Sequence, residues 1–355
     1  MTELLHELFG RRPRYEDAGA GAHNAGVLAA ARVRPAFVDT SCLMYRLMWA
    51  KAAYYVKRCG NDTSRIAHSV AADVMLDIAE FCRNFACAPV LAFDSSRSLR
   101  REETYPQYKG NRGAQKKTEK EALVLSCKDE IRRLLRCVYG PGYRVQGFCV
   151  NGYESDDVIA SFVLGLKQPK ADVGDDTPVY DKHIVIVSND HDLHQLVGDG
   201  VTYADVTSGV LCSAEDLVRH YKLRPEEIVA AKCIGGCKSD NVGGVPGCGD
   251  KTVAEVIASR SFDVSVTKAR RNLASEDGAV VLRRNLRLIR LPYEGSPMLP
   301  QLKLSAKVWP SLGIPDEMAA LMDSNGIPRS AWPSFADITL PRASSAVPMC
   351  SYNKK

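Results

Sequence analysis

The chain has 355 residues, 45% of them hydrophobic and 25% charged, with a formal net charge of +5. At about 100–200 residues per domain this length predicts two domains, or one large one with appendages, and the composition excludes wholesale disorder. No run approaches the ~18 consecutive apolar residues of a membrane span, and the opening MTELLHELFGRRPRYEDAG carries charge where a secretory signal needs an apolar stretch, so no membrane association is expected.

Residues 1–34 are Ala/Gly-rich and weakly periodic, which predicts a flexible leader. A short apolar run then ends at Asp39, and a helical pattern follows from Leu43 to Tyr54. A second helix is expected over 70–86, with Val70, Val74, Ile78, Phe81 and Phe85 on one face. Residues 89–94 form another apolar run ending in an acid, Asp94. A helix over 119–138, a strand over 143–150 and a helix over 154–166 come next. Residues 167–182 read as a polar loop. A third apolar run from His183 ends at Asp190, and a further strand spans 201–206. Apolar runs alternating with helices predict an α/β domain with a mainly parallel sheet, covered on both faces. From about 213 helical patterns take over, at 214–221, 225–234, 251–259, 266–273 and 279–289. Residues 300–355 are Pro-rich and carry few signals.

The twelve cysteines include no C-x-x-C pair, and most sit among apolar neighbours. That pattern reads as buried free thiols in a reducing, cytoplasmic compartment. Charge is unevenly spread. Between 97 and 136 twelve bases face six acids, and between 260 and 290 eight bases face three acids. Two basic zones suit a polyanion, though solvated helix faces read the same way.

Asp39, Asp94 and Asp190 each close an apolar run, and ligands gather at the carboxyl ends of parallel strands. Glu154, Asp156 and Asp157 open one helix, and Asp190 and Asp192 open another. Each acid alone can be a cap or a partner of the helix dipole. Together with Asp240 they form an acidic set whose repulsion calls for divalent cations. All-oxygen donors favour Mg²⁺ or Mn²⁺ over zinc, and two such ions serve phosphodiester cleavage. No histidine is required, and His191 and His194 read as polar surface residues. Lys109 and Arg112 follow as phosphate clamps, with Tyr108 as a base-stacking ring. The run DNVGGVPGCGDKT (240–252) lies between two helices. Its glycines allow close backbone approach, Asp250 can cap the next helix, and Lys251 adds charge; such an element grips a nucleic-acid backbone without reading bases.

The blocks FVDTSCLMYR (37–46), LAFDSS (91–96), YPQYKGNR (105–112), GYESDDVIA (152–160), IVIVSNDHDLHQLV (184–197) and KSDNVGGVPGCGDKT (238–252) carry a resemblance. They resemble, in order, the bacteriophage-type 5′-nucleases of the flap endonuclease family, which also form the 5′-nuclease domain of bacterial DNA polymerase I. The resemblance implies a PIN-like nuclease domain over 35–212, with a helical arch at about 97–136 that 5′ ends pass. It implies a helix–three-turn–helix DNA-binding region over 213–292, and leaves 293–355 as an extension. By resemblance Asp39, Asp94, Glu154 and Asp156 hold the first metal, with Asp157 as an additional or outer ligand. Asp190, Asp192 and Asp240 form the second-metal set. Arg46, Lys109 and Arg112 match positions that contact the scissile phosphate. Lys116 and Lys117 lie in the arch, and Gly244, Gly247, Gly249, Lys251 and Thr252 in the hairpin that holds duplex, in the family often with K⁺.

The implied activity is a metal-dependent 5′→3′ exonuclease and flap endonuclease of replication or repair, leaving 5′-phosphates. The implied cofactor is two Mg²⁺ ions, with Mn²⁺ as a substitute. The implied partners are DNA with 5′ flaps or free 5′ ends and, as no polymerase sequence follows here, a separate DNA polymerase. The family default is a monomer. One position departs from the pattern G-D-x-x-D-N: Cys237 stands where a second-metal carboxylate is expected. Hard cations prefer oxygen to sulfur, so a weakened second site or a preference for Mn²⁺ is expected. Two other readings stay open: a branched-DNA-binding protein with impaired catalysis, and a PIN-type ribonuclease.

Overall fold

The structure is a computed structural model that describes residues 2–9, 34–85, 87–95, 99–114, 117–138, 146–166, 183–198, 200–262 and 267–296. The expected loop at 167–182 and the extension beyond 296 lie outside the described residues.

The apolar runs become β1 (Arg34–Asp39), β2 (Cys87–Phe93), β3 (Gln146–Cys149), β4 (Ile184–Ser188) and β5 (Val201–Asp205), with the short β6 (Leu211–Cys212) added. The sheet order is β3-β2-β1-β4-β5-β6. The first five strands run parallel, and β6 is an antiparallel edge. The strands read as continuous apolar runs because alternate residues enter two different cores. Ala36, Val38, Leu91, Val185 and Val187 face one core; Phe37, Val90, Ala92, Ile184 and Ile186 face the other. Sheet order reverses at β1, with β2 on one side and β4 on the other. That places a topological switch point at the carboxyl ends of these strands.

The helices are α1 (Thr2–Phe9), α2 (Thr40–Ala50), α3 (Ala52–Cys59), α4 (Thr63–Phe85), α5 (Leu99–Thr104), α6 (Glu119–Ser126), α7 (Lys128–Val138) and α8 (Ser155–Leu166). They continue as α9 (Ala214–Tyr221), α10 (Pro225–Gly235), α11 (Asp250–Ser259), α12 (Lys268–Ala274) and α13 (Glu276–Ile289). Helix α8 covers one sheet face, where Phe162 stacks on Phe37 with ring centroids 5.4 Å apart. Helices α2 and α4 cover the other through Leu43, Leu47, Val70, Val74 and Ile78.

Two sequence expectations change here. The segment expected as an arch does not stand free along its length. Val124, Cys127, Ile131 and Leu135 of its second half are buried against α3 and α4, in the core under the sheet. The strongly amphipathic pattern of α7 shows why: its apolar stripe needs a partner, and α4 provides one. The leader also begins differently. Its first residues form α1, and Leu4 and Leu8 are buried against α10 and α13. Residues 10–33 lie outside the described residues.

The second body of helices has its own core, built on Ile234, Val245, Val256, Leu273 and Leu282. Helices α10 and α11 are joined through a short hairpin, β7 (Gly236–Cys237) with β8 (Val242–Gly243). A side chain at Gly244 would lie 2.4 Å from the Gly235 carbonyl carbon and 2.5 Å from the Ile234 oxygen. Only glycine lets these two backbone segments touch.

The packing of α7 is testable. Leu135→Ala should cost about 2–5 kcal/mol of stability in urea melts, as for a leucine deleted from a closed core. A free arch residue would leave the melting curve unchanged.

Candidate metal centre and nucleic-acid interface

Asp39 ends β1, Asp94 follows β2, and Asp190 lies two residues past β4. Three neighbouring parallel strands thus deliver three carboxyls to one sheet edge. The capping reading and the site reading both hold. Asp39 accepts the Cys42 N–H at 3.0 Å and caps α2, while Asp190 accepts the Asp192 N–H at 2.8 Å and opens a short 3-10 helix (His191–Leu196). The Ser155 hydroxyl lies 2.8 Å from Asp39 Oδ1 and 2.9 Å from Asp94 Oδ1, and the Ser155 N–H also donates to Asp94. Ser188 donates to Asp39 Oδ2 at 2.9 Å. One serine therefore ties the two strand-end acids to the start of α8. Burial, then the charges of Asp94 and Asp190, push the Asp39 carboxyl up to about 7 against hydrogen bonds that lower it. Burial and Asp157 likewise push Asp156 well above the usual carboxylate range. Such acids are poorly stabilised as anions by protein alone, and a cation beside them relieves that.

Glu154 is held the other way. Burial would raise it, but Lys109 and Arg101, with hydrogen bonds from Lys109 and Tyr108, hold its carboxyl down at about 2. Lys109 Nζ lies 2.5 Å from Glu154 Oε1 and 3.8 Å from Asp240 Oδ1. Its backbone sits at φ +53°, and its N–H donates to the Asp240 carbonyl at 2.8 Å. Lys109 thus joins the start of α8 to the α10–α11 hairpin, in a left-handed conformation uncommon for a residue with a side chain.

Two expected roles change. Tyr108 is not an exposed stacking ring. It is 6% exposed, and its hydroxyl donates to Glu154 Oε2 at 2.8 Å. Asp157 does not face the acidic cluster as a ligand. It holds Arg101 with both oxygens and accepts the Tyr293 N–H at 2.7 Å. Arg101 is itself 2% exposed and donates to the Leu288 carbonyl of α13 at 3.0 Å. Counting charge along the chain missed Arg101, because such a count treats every base as facing water.

A second cluster lies beside the hairpin. One donor atom from each of Asp192, Cys237 and Asp240 lies within 4.8 Å of the others, and all three residues are buried. Among the described residues this is the one group of that compactness. Asp190, expected with it, adds its charge to Asp39 instead. Cys237 Sγ lies 3.5 Å from Asp240 Oδ2, and burial and Asp240 raise its thiol. Lys232 pairs with Asp192, and Arg112 pairs with Asp240 at 3.0 Å. The donor chemistry of both clusters fits divalent cations: carboxylates at the strand ends, two carboxylates and a sulfur beside the hairpin.

The remaining expected residues are spread more widely. Arg46 pairs with Asp77 of α4 at 2.7 Å, so it is engaged away from the cluster. Lys117 is exposed, and Lys116 lies outside the described residues. Gly247 has φ +82° and Gly249 is the N-cap of α11. Asp250 therefore sits inside the helix start and does not cap it. Lys251 is exposed and Thr252 half-buried on the first turn of α11. His194, expected on the surface, is buried against Tyr203, and burial and His191 lower it to about 4.

The described residues thus form an α/β domain with acids at its switch point, joined to a helical body that carries a glycine hairpin. Residues 35–222 match the family described as "5′-3′ exonuclease, N-terminal resolvase-like domain". The chain belongs to this 5′-3′ exonuclease family. It is 32% identical over 173 residues to DNA polymerase I of Bacillus caldotenax, covering 47% of this chain and 17% of that protein. It is 26% identical over 163 residues to a 5′-3′ exonuclease of Buchnera aphidicola, covering 46% of this chain and 50% of that protein. The chain therefore spans half or less of the length of these relatives. Its fold is shared by the bacteriophage T5 5′-exonuclease with bound divalent metal, at TM-score 0.55 and 21% identity, over 82% of this chain and 100% of that one. It is shared equally by a T5 flap endonuclease solved as a pseudo-enzyme-product complex with DNA and metal ions, at TM-score 0.55 and 21% identity, over 82% and 97%. No helix among the described residues is long and apolar enough to cross a membrane.

Two outcomes follow from this geometry. Asp157→Asn should cost about 3–5 kcal/mol in denaturant melts, because it strands a buried guanidinium. A ligand-only role would leave metal-free stability unchanged. Asp39, raised to about 7 from its ordinary 3.8, leaves stability intact below about pH 4 and erodes it as pH rises through 7. In EDTA, Asp39→Asn should therefore melt higher than the parent at pH 8 and equal to it near pH 4.

Proposed function

We propose that the chain is a divalent-metal-dependent 5′→3′ exonuclease and flap endonuclease acting on DNA in replication or repair. The observation that carries this reading is the meeting of Asp39, Asp94 and the start of α8 through Ser155, at the carboxyl edge of a parallel sheet. Family membership supports the reaction class.

In this reading Asp39, Asp94, Glu154 and Asp156 hold one ion, and Asp190, Asp192 and Asp240 serve the second. When bound, such ions supply the positive charge that polarises a phosphodiester and acidifies water. Mg²⁺ is the expected ion at the first set, with Mn²⁺ as a substitute, and Cys237 weakens the second set for Mg²⁺. Lys109 stays charged because Glu154 and Asp240 outweigh the effect of burial, so it can orient a phosphate over the carboxylates. Arg112 is half-exposed and adds a second clamp. Arg46 reaches the phosphate only by leaving Asp77. Tyr108 and Arg101 keep Glu154 ionised and oriented, so they act through it. The Asp39 proton competes with metal, so loading should strengthen as pH rises through about 7.

Duplex DNA is assigned to the α10–α11 hairpin: Gly244, Gly247 and Gly249 allow close approach, and Lys251 and Thr252 open α11 toward a phosphate, with K⁺ as a possible resident. Lys116 and Lys117 would contact the 5′ strand. A monomer working with a DNA polymerase, in a reducing compartment, completes the proposal. The ten free cysteines among the described residues agree with that compartment.

The test is a gel assay on a 5′-labelled flap duplex with Mg²⁺, Mn²⁺ or EDTA. Cleavage near the junction should need metal, leave a 5′-phosphate, and be lost in Asp94→Asn. Binding without cleavage under every metal would replace this reading with a DNA-binding one. Preference for a matched RNA flap would replace it with a ribonuclease.

A further inference from the structure

We propose that Asp192, Cys237 and Asp240 form a mixed sulfur–oxygen site that takes a thiophilic divalent ion, of the zinc and cobalt class, in preference to Mg²⁺. The inference deepens the nuclease reading and rests on it for the expectation that this edge holds ions. The site itself stands on donor geometry.

Three buried donors from two elements meet within 4.8 Å, and one of them is sulfur. Bonds to zinc of about 2.3 Å from sulfur and 2.0–2.2 Å from oxygen put donors roughly 3.5 Å apart, so the cluster needs to close by about 1 Å. Cys237 is fixed for this role. It sits in the two-stranded hairpin, and its backbone is locked by pairing with Val242. The sulfur lies against Asp240 and not among apolar side chains alone. Two cations stand by the carboxylates, Lys232 on Asp192 and Arg112 on Asp240. Both side chains reach solvent, at 25% and 55% exposure, so an incoming ion can displace them.

Chemistry then separates the two clusters. Asp39, Asp94, Glu154 and Asp156 offer oxygen only, which suits Mg²⁺ and Mn²⁺. The hairpin cluster offers thiolate, which Mg²⁺ takes poorly and zinc-class ions take well. As the sulfur–metal bond forms, the Cys237 proton passes to solvent, one per ion bound. The chain would therefore carry two unlike ions at one edge, with the second independent of Mg²⁺ supply.

The test titrates the full chain with Co²⁺ and reads sulfur-to-cobalt charge-transfer absorption. The expected result is a band that saturates at one equivalent, survives a large excess of Mg²⁺, and is lost in Cys237→Ser. Cys237→Asp should also lose the band while gaining Mg²⁺ binding by calorimetry and activity at low Mg²⁺; this variant keeps a donor in place, so loss of the band is not loss of the fold. Absence of a band in the parent, its persistence in Cys237→Ser, or its removal by equimolar Mg²⁺ would each overturn the proposal. Flap cleavage is read separately: a band without cleavage keeps the site and discards the nuclease reading, and cleavage without a band does the reverse.

Discussion

The fold hinges on how a nest of buried carboxyls is kept from repelling itself apart. Asp39, Glu154, Asp156 and Asp157 lie buried, with Asp94 half-buried, where β1 and β2 end and α8 begins, and Asp192 and Asp240 lie buried beside the hairpin. The protein meets that repulsion with two buried or half-buried bases. Arg101 takes Asp157 with both nitrogens and reaches the Leu288 carbonyl. Lys109 bridges Glu154 and Asp240. Each base also crosses between the α/β domain and the helical body, so the charge compensation is at the same time the joint between the two. Breaking either contact leaves a buried charge alone, which is far worse than never having had the pair.

The compensation is uneven, and function follows from where it stops. Glu154 and Asp157 are fully served by bases. Asp39 is held by serines and a backbone amide, Asp156 by a backbone amide with Arg101 and Lys109 lowering it only in part, and both carboxyls are pushed up. A buried carboxyl raised in this way is ionised more readily with a cation beside it. Glu154 and Asp157 thus take part in the joint, while the raised carboxyls of Asp39 and Asp156 lie beside it. The helical hairpin repeats the logic with weaker, solvent-reachable partners, Lys232 and Arg112, and with sulfur in the donor set.

Much of this was legible along the chain. Strand runs ending in Asp39, Asp94 and Asp190 reported the parallel sheet and the acids at its carboxyl edge, because strands buried on both faces need continuous apolar residues and polar groups accumulate where they stop. Helices α9 and α10 were readable from period and caps. Other elements were not. The basic count over 97–136 suggested a polyanion contact or solvated helix faces, and the resemblance an arch, yet Ile131 and Leu135 are apolar residues at helical spacing in the same stretch. Charge drew attention to the outward face and concealed the inward one. Tyr108 and His194 were assigned to the surface because an aromatic or imidazole ring has no sequence mark of burial.

The amino-acid sequence by itself determined the alternation of strand and helix, the acids at strand ends, the glycine hairpin and the replacement of a carboxylate by Cys237. These are local: they depend on period, residue type and the chain neighbours of each group. Only the tertiary structure decided which acids meet which bases. Arg101 meets Asp157 across 56 positions and Lys109 meets Asp240 across 131, and no local pattern encodes such pairings. The same long-range closure brought Cys237 to Asp192 and buried α1 and α7. Charge and sulfur were written in the sequence, but their chemistry was set by what folded against them.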